Sequence, residues 1–128
     1  MPQREAIQTD HAPAAIGPYS QAMRTGDLLF CSGQIPLDPS TGEIVKEGVE
    51  GQARRCLENL TAVCEAAGAS LANAVRCTVY LTDMGDFARV NEVYGQFFEG
   101  DDPPACVAVA AAALPKGADV EIDAIVAL

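Results

Sequence analysis

The sequence has no tryptophan and a single histidine, His11. A Ser/His/Asp set could form only around that residue, and a zinc site, which usually joins close cysteine pairs to histidine, has little to draw on. The five cysteines, Cys31, Cys56, Cys64, Cys77 and Cys106, form no CxxC pair and are odd in number. They read as free thiols behaving as small hydrophobes, with no metal site expected. Basic residues are also scarce, at eight Lys and Arg against 18 Asp and Glu, a net charge of -10. Nucleic-acid binding needs a basic patch to displace counterions, and the only adjacent basic pair, Arg54-Arg55, sits between Glu50 and Glu58 at spacings that suit surface ion pairs. No apolar run approaches the roughly 20 residues that cross a bilayer. The opening Met1-Pro2-Gln3-Arg4-Glu5 lacks the basic-then-apolar order of a signal peptide. The expectation is a cytoplasmic protein with neither nucleic acid nor membrane as partner. Neither a P-loop nor a GxGxxG is present, so nothing points to a nucleotide cofactor.

What remains is an ordinary globular composition, 49% hydrophobic and 20% charged. At 128 residues the chain is read as one domain, residues 1-128, without repeats or linkers. Apolar residues at Ala53, Leu57, Leu60, Val63, Cys64 and Ala67 predict a helix over 49–67, with Gly68 as its stop. Phe87, Val90, Tyr94, Phe97 and Phe98 predict a second over 83–99, with Asp83 as N-cap. Residues 20–24 and 28–31 around Thr25-Gly26-Asp27 read as a hairpin. Val75, Cys77, Val79 and Leu81 alternate with polar residues as a half-buried strand does. Residues 106–111 are apolar enough for a strand buried on both faces, and Val120, Ile122, Ala124 and Val126 mark a last strand. The order implies an α+β sandwich with both helices on one face of a mixed sheet. The other face needs a cover, and a second copy of the chain is the simplest one.

Two polar positions stand out. Asn91 lies at helical spacing from Phe87 and Tyr94, toward or beside the apolar stripe. Its amide either holds a neighbouring loop or serves a site. Glu121 shares a strand face with Asp123. The pair could do acid–base work, with one pKa raised by burial or by its neighbour, or could simply face water. Gly17-Pro18-Tyr19-Ser20 is a rigid turn presenting an aromatic. Ser32-Gly33-Gln34-Ile35-Pro36 leads into the turn-rich loop 38–43, where Gly33 would let a ligand approach the backbone and bond a free N–H.

Taken together, these segments resemble the YjgF/RidA family. The run from Ala12 to Ala22 looks like its N-terminal signature, and Ser32-Gly33-Gln34-Ile35-Pro36 with Thr41-Gly42-Glu43 its second block. Gln52-Ala53, Leu57-Glu58-Asn59-Leu60, Asp83-Met84, Phe87, Val90-Asn91, Tyr94 and Phe97-Phe98 are similar to its helices. Pro104-Ala105, Leu114-Pro115-Lys116-Gly117 and Val120-Glu121-Ile122 are similar to its C-terminal block. The resemblance implies a chorismate-mutase-like α+β fold, a six-stranded mixed sheet with two helices on one face, and a homotrimer with a central barrel and clefts between subunits. It implies cofactor-free hydrolysis of reactive enamines and imines to 2-oxo acids and ammonia. Tyr19, Ser32, Gly33, Asn91, Cys106 and Ala108 would line the substrate cleft. Gly33 would offer its N–H, Ala108 its carbonyl, and Glu121 would position or activate the attacking water.

One departure bears on substrate choice. Family deaminases carry an arginine directly after the Pro-Ala pair, whose planar fork clamps the substrate carboxylate. The ungapped spacing from Pro104-Ala105 to Leu114-Pro115 puts Cys106 there. Losing such a clamp costs on the order of 2–5 kcal/mol of binding. Three readings follow: a deaminase of weakened or altered specificity, a non-catalytic small-molecule-binding or stress-responsive protein, or a reactive thiol at Cys106, which would need a lowered pKa.

Overall fold

The computed structural model describes residues 2–128. Six strands form one sheet: β1 (Glu5–Ile7), β2 (Ala22–Thr25), β3 (Leu28–Gln34), β4 (Ala74–Leu81), β5 (Ala105–Ala110) and β6 (Val120–Ala127). Their spatial order is β1-β2-β3-β6-β4-β5. The last strand inserts antiparallel between β3 and β4, while β4 and β5 pair in parallel. Helices α1 (Val49–Ala66) and α2 (Phe87–Phe97) pack on one another and cover one face. Strand β1, which pairs with β2, has no counterpart in the sequence reading; three residues are too few for a period to register.

Strand alternation decides which face the helices cover. Cys77, Val79 and Leu81 on β4, and Val120, Ile122, Ala124 and Val126 on β6, are buried beneath the helices with Leu57, Leu60 and Val63 of α1. Every position of the predicted α1 stripe is buried. The helix stops as Gly68 implied: at φ 73° its N–H reaches the Glu65 carbonyl at 3.0 Å, and Ala69 N–H reaches that of Cys64 at 2.9 Å. Those crossed bonds are a Schellman motif, which needs a left-handed residue at that point. Four cysteines are buried and Cys106 is exposed. Burial pushes the Cys56 thiol up and the Cys77 thiol up to about 11, which keeps them protonated and inert.

Several expectations are corrected. Val75 is not in the core. Ala74 pairs with Val126 and Arg76 with Ile125, so one extra residue on β4 bulges out and Val75 is 46% exposed. Strand β5 is exposed along most of its length rather than buried on both faces, because it forms the edge of the sheet. Helix α2 begins at Phe87, after a 3-10 turn over Met84–Asp86 whose cap is Asp83. Val93 replaces Phe87 in the buried stripe, which turns Phe87 and Asn91 outward. Arg55 pairs with Glu58 as the spacing suggests, but Glu50 pairs with Arg89, and Arg54 bonds Gln96.

Three buried amides tie loops to this frame. Gln21 accepts from Thr9 N–H at 2.7 Å and donates to the Thr9 and Pro13 carbonyls at 3.0 and 2.9 Å. Gln52 accepts from Asp119 N–H at 2.9 Å and donates to its carboxylate at 3.1 Å. Asn59 donates to the Leu37 carbonyl at 3.0 Å and accepts from Arg55 at 2.7 and 3.0 Å.

Candidate active site

Between the Cys31–Ala124 and Gln34–Ile122 pairs, β3 carries one residue more than β6, so Ser32 and Gly33 together oppose one residue. Such a bulge bends the strand and leaves a residue unpaired. Here it brings the Gly33 backbone under the Glu121 side chain. A Cβ added at Gly33 would lie 2.2 Å from Glu121 Oε2 and 3.0 Å from its Cδ. Only glycine leaves the carboxyl room to lie there.

Glu121 and Asp123 project from the open face, the side away from the helices, each half-buried. Asp123 accepts from Thr78 N–H and from the Tyr80 hydroxyl, both at 3.1 Å. Glu121 makes no such bonds among the described residues. Burial, and secondarily the charge of Asp123, raises its pKa above the usual carboxylate range. One carboxylate is held by hydrogen bonds while the other stands over a cleft with a displaced pKa, an arrangement suited to proton transfer.

That cleft is small in the single chain, about 50 Å³, and its walls include Tyr19, Gln21, Gly33, Gln34, Pro115 and Glu121. Tyr19 is placed by its own turn: its N–H bonds the Gly17 carbonyl at 2.8 Å, and its hydroxyl accepts from Ile16 N–H at 3.3 Å. Ser32 stands beside the cleft rather than in its wall. Its hydroxyl donates to the Ser20 carbonyl at 2.6 Å and its N–H to that of Gln21 at 3.0 Å, tethering the Tyr19 turn to β3.

Three anticipated residues lie elsewhere. Cys106 and Ala108 pair with Cys77 and Val79, so they face the helix side, whereas Glu121 pairs with Tyr80 on the open side. Asn91 is exposed on α2. Cys106 and Ala108 therefore lie on the opposite face of the sheet from Glu121, and within one chain they do not converge on it. No Lys or Arg lines the cleft. Arg89 is engaged with Asp86 and Glu50. Lys116 follows a wall residue, Pro115, but is not itself in the wall. Gln34 also lines the cleft, a residue not among those expected there, although its place next to Gly33 was an available signal.

A mixed sheet with β6 inserted between two parallel strands, two helices on one face and an acid over a glycine bulge define an α+β protein of the chorismate-mutase-like class. Comparison with known proteins makes this specific. The sequence profile described as Endoribonuclease L-PSP matches residues 9–128, and the chain belongs to that family, the YjgF/RidA family. It is 58% identical over 124 residues to Protein DfrA of Myxococcus xanthus, covering 95% of this chain and 94% of that one. It is 49% identical over 122 residues to the 2-iminobutanoate/2-iminopropanoate deaminase of Mus musculus, covering 95% and 90%. The crystal structure of RidA from an Antarctic Psychrobacter superposes with a TM-score of 0.92 at 47% identity, covering 97% and 99%.

Proposed function

We propose that the protein hydrolyses reactive imines and enamines to oxo compounds and ammonia, with a specificity altered by Cys106. The observation that carries this is the Glu121 carboxyl, half-buried over the Gly33 bulge beside Tyr19, with a raised pKa. In the ionised form it takes a proton from water as the oxygen attacks the imine carbon. A C–O bond forms and the C=N pair moves onto nitrogen, which takes that proton from Glu121; the carboxylate then removes the hydroxyl proton of the aminoalcohol and passes it to nitrogen, so that C=O forms as the C–N bond breaks and ammonia leaves. Gly33 N–H orients the substrate, and the Ala108 carbonyl of a second copy holds the water or the imine nitrogen. Asn91 and Cys106 complete the wall from that copy, in a homotrimer whose open sheet faces form a central barrel. No cofactor takes part. The named activity of the mouse relative, 2-iminobutanoate and 2-iminopropanoate deamination, supports the reaction class.

With no cation in the single-chain wall and cysteine at the arginine position, imines lacking a carboxylate are the preferred substrates. In a direct test, 2-iminobutanoate generated in situ disappears faster with protein present, and Glu121→Ala removes the gain. Cys106→Arg strengthens turnover of this acid, by about 30-fold or more if a full carboxylate clamp is restored. No acceleration at high protein concentration, with Cys106→Arg equally inert, sinks the hydrolytic reading. The second reading, a ligand-binding protein without turnover, draws its support from Cys106 itself.

A further inference from the structure

The five thiols differ in what they can meet. Cys56 donates to the Val120 carbonyl at 3.6 Å, and Cys31 and Cys64 bond each other in the core. Cys106 is exposed, and what singles it out is its neighbour: the register of β5 on β4 sets it directly beside Cys77. Residues paired across two strands project to the same face, here the side of the helices. Neighbouring strands lie about 4.7–4.9 Å apart, inside the window of about 4.4–6.8 Å between Cα atoms that a disulfide spans. Strand β5 is the edge of the sheet, held by β4 alone, so it can adjust to such a bond.

A second observation falls at the same place. Tyr94 of α2 is 8% exposed, and its buried hydroxyl has no hydrogen-bond partner among the described residues, although the Cys77 and Cys106 thiols stand beside it. Buried hydroxyls are seldom left so. An oxygen added to the Cys106 sulfur gives that hydroxyl an acceptor. Oxidation of an exposed thiol to a sulfenic acid adds such an oxygen, and a neighbouring thiol then displaces it. Cys77 is 0% exposed and its thiol, pushed up first by burial to about 11, is inert toward anything in solution. Only an electrophilic sulfur in contact with it can engage it, which makes Cys77 the second sulfur to react.

We propose that Cys106 and Cys77 form a peroxide-sensitive thiol pair, closing to a disulfide while the Tyr94 hydroxyl holds the departing oxygen. The Cys106 sulfur attacks one oxygen of a hydroperoxide. An S–O bond forms, the O–O bond breaks, and the second oxygen leaves with the thiol's proton, as water where the oxidant is hydrogen peroxide. The Cys77 sulfur then attacks the Cys106 sulfur. An S–S bond forms as the S–O bond breaks, and the oxygen, bonded by Tyr94, leaves as water with the Cys77 proton. The two thiols are oxidised by two electrons and the hydroperoxide is reduced. The closed loop, from Cys77 to Cys106, contains all of α2 and fastens the edge strand to the sheet. None of this depends on imine hydrolysis.

The intact protein treated with hydrogen peroxide, and read by mass and non-reducing peptide mapping, tests it. The expected product is lighter by two hydrogens, carries a peptide joining Cys77 to Cys106, and reopens with dithiothreitol. Its thermal midpoint rises by on the order of 5–10 °C, as a covalently closed loop implies. Cys106→Ser forms no link, and Cys77→Ser stops Cys106 at a sulfenic acid that dimedone traps. Tyr94→Phe keeps the fold and closes about tenfold more slowly, as the loss of one hydrogen bond implies. Cys106 passing to a sulfinic acid without joining Cys77, a link between other cysteines, or no oxidation under peroxide each overturn the proposal. So do closure of Tyr94→Phe at the wild-type rate and a linked protein with a lowered midpoint, which would place the bond in a distorted chain.

Discussion

The hydrogen that serves as the side chain of Gly33 is what the Glu121 carboxyl rests on. Gly33→Ala would put a methyl 2.2 Å from Oε2, and the yielding partner is the far end of a flexible side chain. The expected result is a folded protein with a nearly unchanged thermal midpoint and an imine-hydrolysis rate reduced at least about tenfold, because a misplaced base loses its geometry. A second prediction concerns pH. The folded pKa of Glu121 is raised, by burial first and Asp123 second, so the base form, and with it kcat, is lost as pH falls through a value above the usual carboxylate range. Asp123→Asn removes the neighbouring charge and moves that edge of the pH–rate profile to lower pH. For stability the sign is opposite. The contribution of a group with a raised folded pKa is fully present below the unfolded value and lost as pH rises through the folded one. Glu121→Gln therefore raises the melting temperature at neutral pH, and the gain disappears on acidification. A melting temperature that falls at neutral pH would mean the ionised carboxylate is held by partners instead.

At the scale of elements, loops around the cleft are set by amides reaching from the frame. Asn59 is 0% exposed on α1 and holds the Leu37 carbonyl, beyond the end of β3. Asn59→Ala removes the donor to that carbonyl and leaves Arg55 with its Glu58 contact, and should cost about 1–3 kcal/mol in chemical denaturation. The loop it anchors carries Ile35 and Leu37 of the cleft wall, so ligand affinity should fall as well. A loss of stability with unchanged affinity would detach the loop from the site. Neither bulge was legible in the sequence. Apolar alternation from Val75 to Leu81 continues without a break, and only pairing with β6 expels Val75. Likewise Asn91 looked inward by its spacing from Phe87 and Tyr94, but Val93 set the rotation of α2 and turned it out.

For the whole molecule, the open face of the sheet is the surface that needs explaining. Leu28 and Phe30 on β3, with Val107 and Val109 on β5, are exposed there, and β5 is an uncovered edge. Apolar patches of this kind on a folded chain mark contact surfaces. Light scattering should give the mass of three chains, and Val109→Asp should lower it toward one chain while abolishing hydrolysis, because each half-site would lose its complement. A wild-type mass of one chain, with full activity, would contradict a site shared between copies.

The sequence by itself determined the family, the reach of both helices to within a few residues and the core stripe of α1. Those features are written in local periods and in motifs whose spacing survives without a partner strand. The tertiary structure alone decided that Gly33 and Glu121 touch, that Val75 is expelled from the core, and that Cys106 and Glu121 lie on opposite faces. Each depends on strand register between segments far apart in the chain, and a shift of one residue there reverses the face that a side chain takes.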